Sequence, residues 1–160
     1  MQWAEVLADK SLENLPYKIE LNKWGNIEMF SFSNKRSFIK GTLFDLLNKN
    51  LPYGKAIINL TVQMGKKEVR MPDVVWCSKD FLKQHIKEDP CLVAPEICIE
   101  VVSPSNSFSE MKRKMALYFK SGAKEVWLVD FNGRAKVFNE QGEIPKSAFD
   151  IEITLDLSWL

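Results

Sequence analysis

The sequence predicts a mixed α/β fold whose core runs helix, three strands, helix, strand (αβββαβ). A mixed central sheet is flanked by helices, and β-hairpins are added at both ends. Three observations predict it. Apolar residues spaced by three and four recur over Ser37–Asn48 and again after Ser107. Short runs rich in β-branched residues lie between them, at Lys55–Met64, Glu68–Cys77 and Glu96–Val102. The chain has 160 residues, 46% of them apolar and 27% charged, which suits one domain over residues 1–160 and argues against disorder.

The elements follow in order. Residues 2–10 read as a short helix, broken at Asn14-Leu15-Pro16. Alternation at Ile19, Leu21, Ile27 and Met29 around Trp24-Gly25-Asn26 predicts a hairpin over Tyr17–Phe32. The first core helix covers Ser37–Asn48, with Phe38, Leu43, Leu46 and Leu47 inward, and Pro52-Tyr53-Gly54 turns the chain. The strands Lys55–Met64 and Glu68–Cys77 join through Gly65-Lys66-Lys67. Ser78–Lys87 is a short helix or loop ended by Glu88-Asp89-Pro90, ahead of the strand Glu96–Val102.

Ser107-Phe108-Ser109-Glu110 fits a capping box, in which Glu110 reaches back to the Ser107 amide. Gly122 closes that helix. Val126–Asp130 is a strand, Asn132-Gly133 a hairpin turn, Arg134–Phe138 its partner, and Phe149–Leu155 a last strand.

Composition excludes several classes. The net charge of +1 gives no bulk attraction to nucleic acid. Cys77, Cys91 and Cys98 are odd in number and form no CxxC pair, so neither a disulfide framework nor a zinc cluster is expected. His85 is the sole histidine, which rules out His-clustered zinc sites and HExxH chemistry; GxSxG, Walker A and GxGxxG sequences are absent. The start lacks the pattern of a signal peptide and no run of 18 apolar residues occurs, so a cytoplasmic protein with no membrane partner is expected.

Two acids stand out. Glu100 lies within Ile97-Cys98-Ile99-Glu100-Val101-Val102, where an unpaired buried charge would cost several kcal/mol. Asp73 follows Pro72, which cannot donate to a ladder, so a strand bends or begins there. Taken singly, Asp73 reads as a turn residue and Glu100 as half of an ion pair. On adjacent strands the two would offer oxygen ligands suited to Mg²⁺ or Mn²⁺. A cation should stand near them. On the helix after Ser107, the face of Met111, Met115, Tyr118 and Phe119 is flanked by Lys112 on one side and Lys114 on the other. The helical wheel leaves that choice open, and Lys114 is also spaced as an i,i+4 partner of Glu110 on a solvated face. Of the five tryptophans, Trp76 and Trp127 fall in strand patterns and are expected in the core.

Four blocks in order, PYKIELNKWGNIEM, MPDVVW, PEICIEVVSPSNS and KMALYFKSGAKEVWLVD, resemble the Uma-type restriction endonuclease family of the PD-(D/E)XK nuclease superfamily, from about Leu15 to the C-terminus. The resemblance implies a restriction-endonuclease-like core and a Mg²⁺-dependent (or Mn²⁺-dependent) DNA endonuclease. It assigns Asp73, Glu100 and the Val101 carbonyl to the metal. The superfamily's strand lysine would fall at Val102; in similar nucleases it has moved to the following helix, four residues before a tyrosine, which here is Lys114 ahead of Tyr118. Glu20, in KIEL, matches a family acid of the N-terminal hairpin and joins the expected site. Lys112, Arg113, Lys120 and the pair Lys35-Arg36 are expected to hold the nucleic-acid backbone, and a homodimer is expected. One block departs: where many members read M-S-P-A-S-N-K-H-G, this chain has Met29-Phe30-Ser31-Phe32-Ser33-Asn34-Lys35-Arg36-Ser37, so Arg36 stands at the usual histidine. That departure favours the alternative of a catalytically silent nuclease-fold module that binds nucleic acid or protein. A third option is a purely structural ion network.

Overall fold

The computed structural model describes residues 1–160. Helix α1 (Trp3–Ala8) precedes the hairpin β1 (Tyr17–Leu21) and β2 (Ile27–Ser31). Helix α2 (Asn34–Asn50) leads to β3 (Gly54–Ile58), β4 (Val62–Gln63), β5 (Val69–Arg70) and β6 (Val74–Ser78). Then come α3 (Lys79–His85), β7 (Ile97–Val102), α4 (Phe108–Lys120), β8 (Glu125–Asp130), β9 (Ala135–Asn139) and β10 (Gly142–Ile144). The expected core order is present as α2, β3, β6, β7, α4, β8.

Six strands form a mixed sheet in the order β10-β9-β8-β7-β6-β3. Only β7 and β8 run parallel in it, and α4 is the crossover that a parallel pair requires. The remaining four strands form a second sheet, β2-β1-β5-β4. Period-2 alternation sends Val74, Trp76, Ile97, Ile99 and Trp127 to one face of the six-stranded sheet, against Ile39, Leu43 and Leu47 of α2. Val75, Cys77, Cys98 and Val126 face the other way, against Met115 and Tyr118 of α4 and Phe81 of α3. Trp76 and Trp127 are core residues, while Trp24 and Trp159 are exposed. All three cysteines are buried free thiols.

Three expectations are corrected. Each long strand of the Lys55–Met64 and Glu68–Cys77 pair is broken in two, and the halves join different sheets. Asn59 in the left-handed region, φ +62°, breaks the first. Met71-Pro72-Asp73 breaks the second, because Pro72 has no N–H for the ladder. The segment Phe149–Leu155 forms no strand. The edge beside β9 is taken by β10, so 149–155 satisfies its alternation by laying Phe149, Ile151, Ile153 and Leu155 over the core instead. The buried Glu125 carboxylate fastens this segment by accepting from Ser147 Oγ and the Ala148 N–H, both at 2.7 Å. The capping box is half formed: Ser107 Oγ accepts from the Glu110 N–H at 3.2 Å, but the Glu110 carboxylate lies by the Ser107 hydroxyl, not its amide.

Candidate active site

The site lies where the two sheets meet, between the first turn of α2 and the middle of α4. Glu100 occupies the alternate register of β7 and points to the α4 side, with Cys98. There Tyr118, fully buried, donates its hydroxyl to Glu100 Oε1. Lys114, one turn earlier on α4, places Nζ 3.2 Å from Glu100 Oε1 and 3.0 Å from Glu20 Oε1. Lys114 is therefore buried against two acids and is not the solvated partner of Glu110. Asp73, Glu100 and Lys114 line a cavity with Lys18, Arg36 and Arg113, and Lys112 lies outside it.

Asp73 follows the bend that separates β5 from β6. Its Oδ2 accepts from the Val101 N–H at 2.7 Å, which ties the bend to β7. The bend is also gripped from β1. Glu20 Oε1 accepts the Met71 N–H at 2.9 Å, and Lys18 Nζ donates to the Met71 carbonyl at 2.9 Å. Two alternate residues of one strand thus hold both backbone polar groups of Met71, the residue just before Pro72, and so fix where Asp73 stands.

Lys18 Nζ is the hub. It lies 3.5 Å from an oxygen of each of Glu20, Asp73 and Glu100. Glu20 is committed on both oxygens, since Oε2 also accepts from Arg70 at 3.0 Å. In the β1–β2 register Glu20 faces Glu28, a like-charge pair that would destabilise the hairpin without a shared cation. Arg70 is that cation, 2.7 Å from Glu28 and 2.7 Å from Glu68.

Arg36, in the first turn of α2, donates through Nη1 to the Val101 carbonyl and lies 3.4 Å from Asp73 Oδ2. Ser33 caps that turn by accepting from the Arg36 N–H. The guanidinium carbon is 5.7 Å from the centre of the Phe131 ring.

The charges set one another. Burial would lower the Lys18 pKa, but Glu100, Glu20 and Asp73 outweigh it and raise it above the usual lysine value. Burial would raise Glu20, yet Lys114, Lys18 and Arg70 bring it to about 2. Burial likewise acts to raise Asp73, but Lys18, the Val101 N–H and Arg36 hold it below the usual range. Glu100 goes the other way: burial, helped by Asp73 and Glu20, leaves it raised despite Lys114 and Lys18. Two carboxyls of opposite tendency thus adjoin one another.

No three side chains among His, Cys, Asp and Glu converge closely enough to hold a metal ion by themselves. The donor set expected from sequence is two carboxylates and one backbone carbonyl, all hard oxygens of the kind Mg²⁺ and Mn²⁺ take. Those oxygens suit a cation, because cations already stand against them: Lys18 by Asp73 and Glu100, Arg36 by Asp73 and Val101. By donor type and charge the residues fit the ion.

Of the residues expected to meet nucleic acid, Arg113 lines the cavity and lies 3.2 Å from Glu68. Arg36 is inside the site. Lys35 is exposed, near the Phe131 ring. Lys112 and Lys120 line a separate groove, between α4 and Phe138–Gly142. Lys18, Arg70 and Tyr118 were not among the expected site residues. The signal for Lys18 was its position two residues before Glu20, on the same face of a strand. Arg70 was signalled by the acid-on-acid register of Glu20 and Glu28.

Comparison with known proteins agrees with this architecture. The profile of the Uma2 family, described as "Putative restriction endonuclease", matches residues 7–150. Among solved structures, the crystal structure of a "putative nuclease belonging to DUF820" from Anabaena variabilis superposes with a TM-score of 0.72. It is 20% identical, and the match covers 93% of this chain and 90% of that one, a likeness of fold. No curated protein is significantly similar.

Proposed function

The chain belongs to the Uma2 family, and from that premise we propose that it is a metal-dependent endonuclease that hydrolyses DNA phosphodiester bonds. The observation that carries this reading is the convergence of Asp73 from the β5–β6 bend, Glu100 from β7 and Lys114 from α4 on one open cavity. A structural ion network has no need of an opening lined by its own charges.

In this reading Asp73, Glu100 and the Val101 carbonyl hold Mg²⁺ or Mn²⁺. When bound, such an ion stabilises charge on a phosphoryl oxygen and lowers the pKa of a water. Lys114, fixed by Glu20 and Glu100, orients the attacking water or offsets charge growing on the scissile phosphate. Tyr118 fixes the Glu100 carboxyl, and Lys18 and Glu20 fix the bend that carries Asp73; these are positioning residues. In this reading Arg113, at the cavity, and Lys35, on the first turn of α2, meet flanking phosphates. Cutting both strands calls for two such sites, so a two-fold homodimer belongs to the proposal.

Supercoiled plasmid incubated with and without Mg²⁺ or Mn²⁺ tests it, beside Asp73→Ala and Lys114→Ala. Metal-dependent nicking that both variants lose supports the assignment. Nicking that survives in both variants sinks it.

A second reading has its own observation. Lys18 and Arg36 already neutralise the acids, which favours a silent nuclease-fold module that binds nucleic acid or protein. Cleavage that disappears in Asp73→Ala excludes that reading.

A further inference from the structure

We propose that Arg36 is a built-in counter-cation that withholds the metal donors, so that a divalent ion enters only when the guanidinium leaves. The inference rests on the metal-dependent reading above.

Arg36 Nη1 donates to the Val101 carbonyl and lies 3.4 Å from Asp73 Oδ2, whose other contact is the Val101 N–H. One nitrogen therefore engages two of the three expected donors. A dication on those oxygens would stand within contact distance of the guanidinium. In a partly buried site a double and a single charge in contact repel strongly, with little screening by solvent. Coexistence is costly, so the two cations compete.

Lys18 also faces Asp73 and Glu100, but its situation differs. It is only 5% exposed and is bound to the Met71 carbonyl, as part of the frame that holds the bend. Arg36 sits at the edge, its side chain 17% exposed and its guanidinium carbon 5.7 Å from the centre of the Phe131 ring. Arg36 can move without dismantling the frame. A phosphodiester entering the cavity is an anion of the kind that guanidinium forks bind, so the substrate's own phosphate would draw Arg36 away from Val101.

Mn²⁺ binding to the full chain, read by calorimetry and by the shift in Tm, tests this without any cleavage assay. Arg36→Gln keeps polarity and removes the charge. Arg36→Lys keeps the charge on a shorter side chain that reaches the two oxygens less fully, and serves if the neutral variant folds poorly. We expect Arg36→Gln to bind Mn²⁺ at least tenfold more tightly than the unaltered protein, with an intermediate gain for Arg36→Lys. Adding Asp73→Asn should abolish the gain. Affinity unchanged or weakened in both Arg36 variants, with binding by the unaltered protein still dependent on Asp73, overturns the counter-cation role and leaves the metal reading standing. An absence of Mn²⁺ binding in all proteins overturns both.

Discussion

Replacing Lys18 by Met removes a buried ammonium while keeping a similar volume. At 3.5 Å and an effective dielectric of 20, each of its three carboxylate contacts is worth about 5 kcal/mol of attraction. Most of that offsets the cost of burying the ammonium, and Lys114, Arg36 and Arg70 remain. The net loss is bounded by an escape: one carboxyl can take up a proton in place of the missing cation. Glu100, already raised by burial, is the group that does so. Protonating a carboxyl whose ordinary value is 4.5 costs roughly 3 kcal/mol at pH 7 and less than about 1 kcal/mol at pH 5. For a chain of this size, Tm should therefore fall by roughly 6–12 °C at pH 7 and by no more than about 4 °C at pH 5. The sign follows from linkage. In the variant the folded pKa of Glu100 lies still further above 4.5, so its contribution is present below that value and is lost as pH rises. Melting curves by circular dichroism at the two pH values provide the measurement. Equal falls at both would mean that packing, not charge, was lost, and no fall at pH 7 would mean that Lys18 is not the hub.

Two further predictions concern the same cluster. Tyr118→Phe removes the buried donor to Glu100 Oε1 and should cost about 1.5–3 kcal/mol, seen as a Tm lower by roughly 3–12 °C; an unchanged Tm would show that this hydrogen bond does not hold Glu100 in place. Glu20, brought from 4.5 to about 2, contributes up to roughly 3 kcal/mol of stability, present above pH 4.5 and lost as pH falls toward 2. The Tm difference between the unaltered protein and Glu20→Gln should accordingly shrink over that window, and a constant difference would refute the assignment.

The core order, the packing tryptophans and the two suspect acids were all legible in the residues, because periodicity and the cost of burying charge are local properties of a sequence. Ile97–Val102 declares a buried strand, and Glu100 within it declares an unsolved charge. Resemblance, not periodicity, singled out Lys114 and Glu20. The structure then set Lys114 against Glu100 and Glu20, and Glu20 against Lys18 as well. The sheet switch at Asn59 and at Pro72 was only half legible. Proline marks where a strand cannot continue, but nothing local says that the residues before it will pair with β1 and those after it with β3 and β7. The last strand failed for the same reason: alternation in 149–155 reports a buried face, whereas a ladder needs a vacant edge, and β10 had taken it.

Lys18 and Arg36 mark the boundary most clearly. As residues they are ordinary surface cations of a hairpin and a helix start. Only tertiary structure brings both within 3.5 Å of one acid, Asp73, which lies 55 and 37 positions away along the chain. The sequence by itself determined that the acids must be neutralised, since an unpaired charge in a core strand costs more than the fold can spare. Which cation neutralises each acid depends on distance in space. That distance is set by how two sheets and two helices pack, and no local pattern carries it.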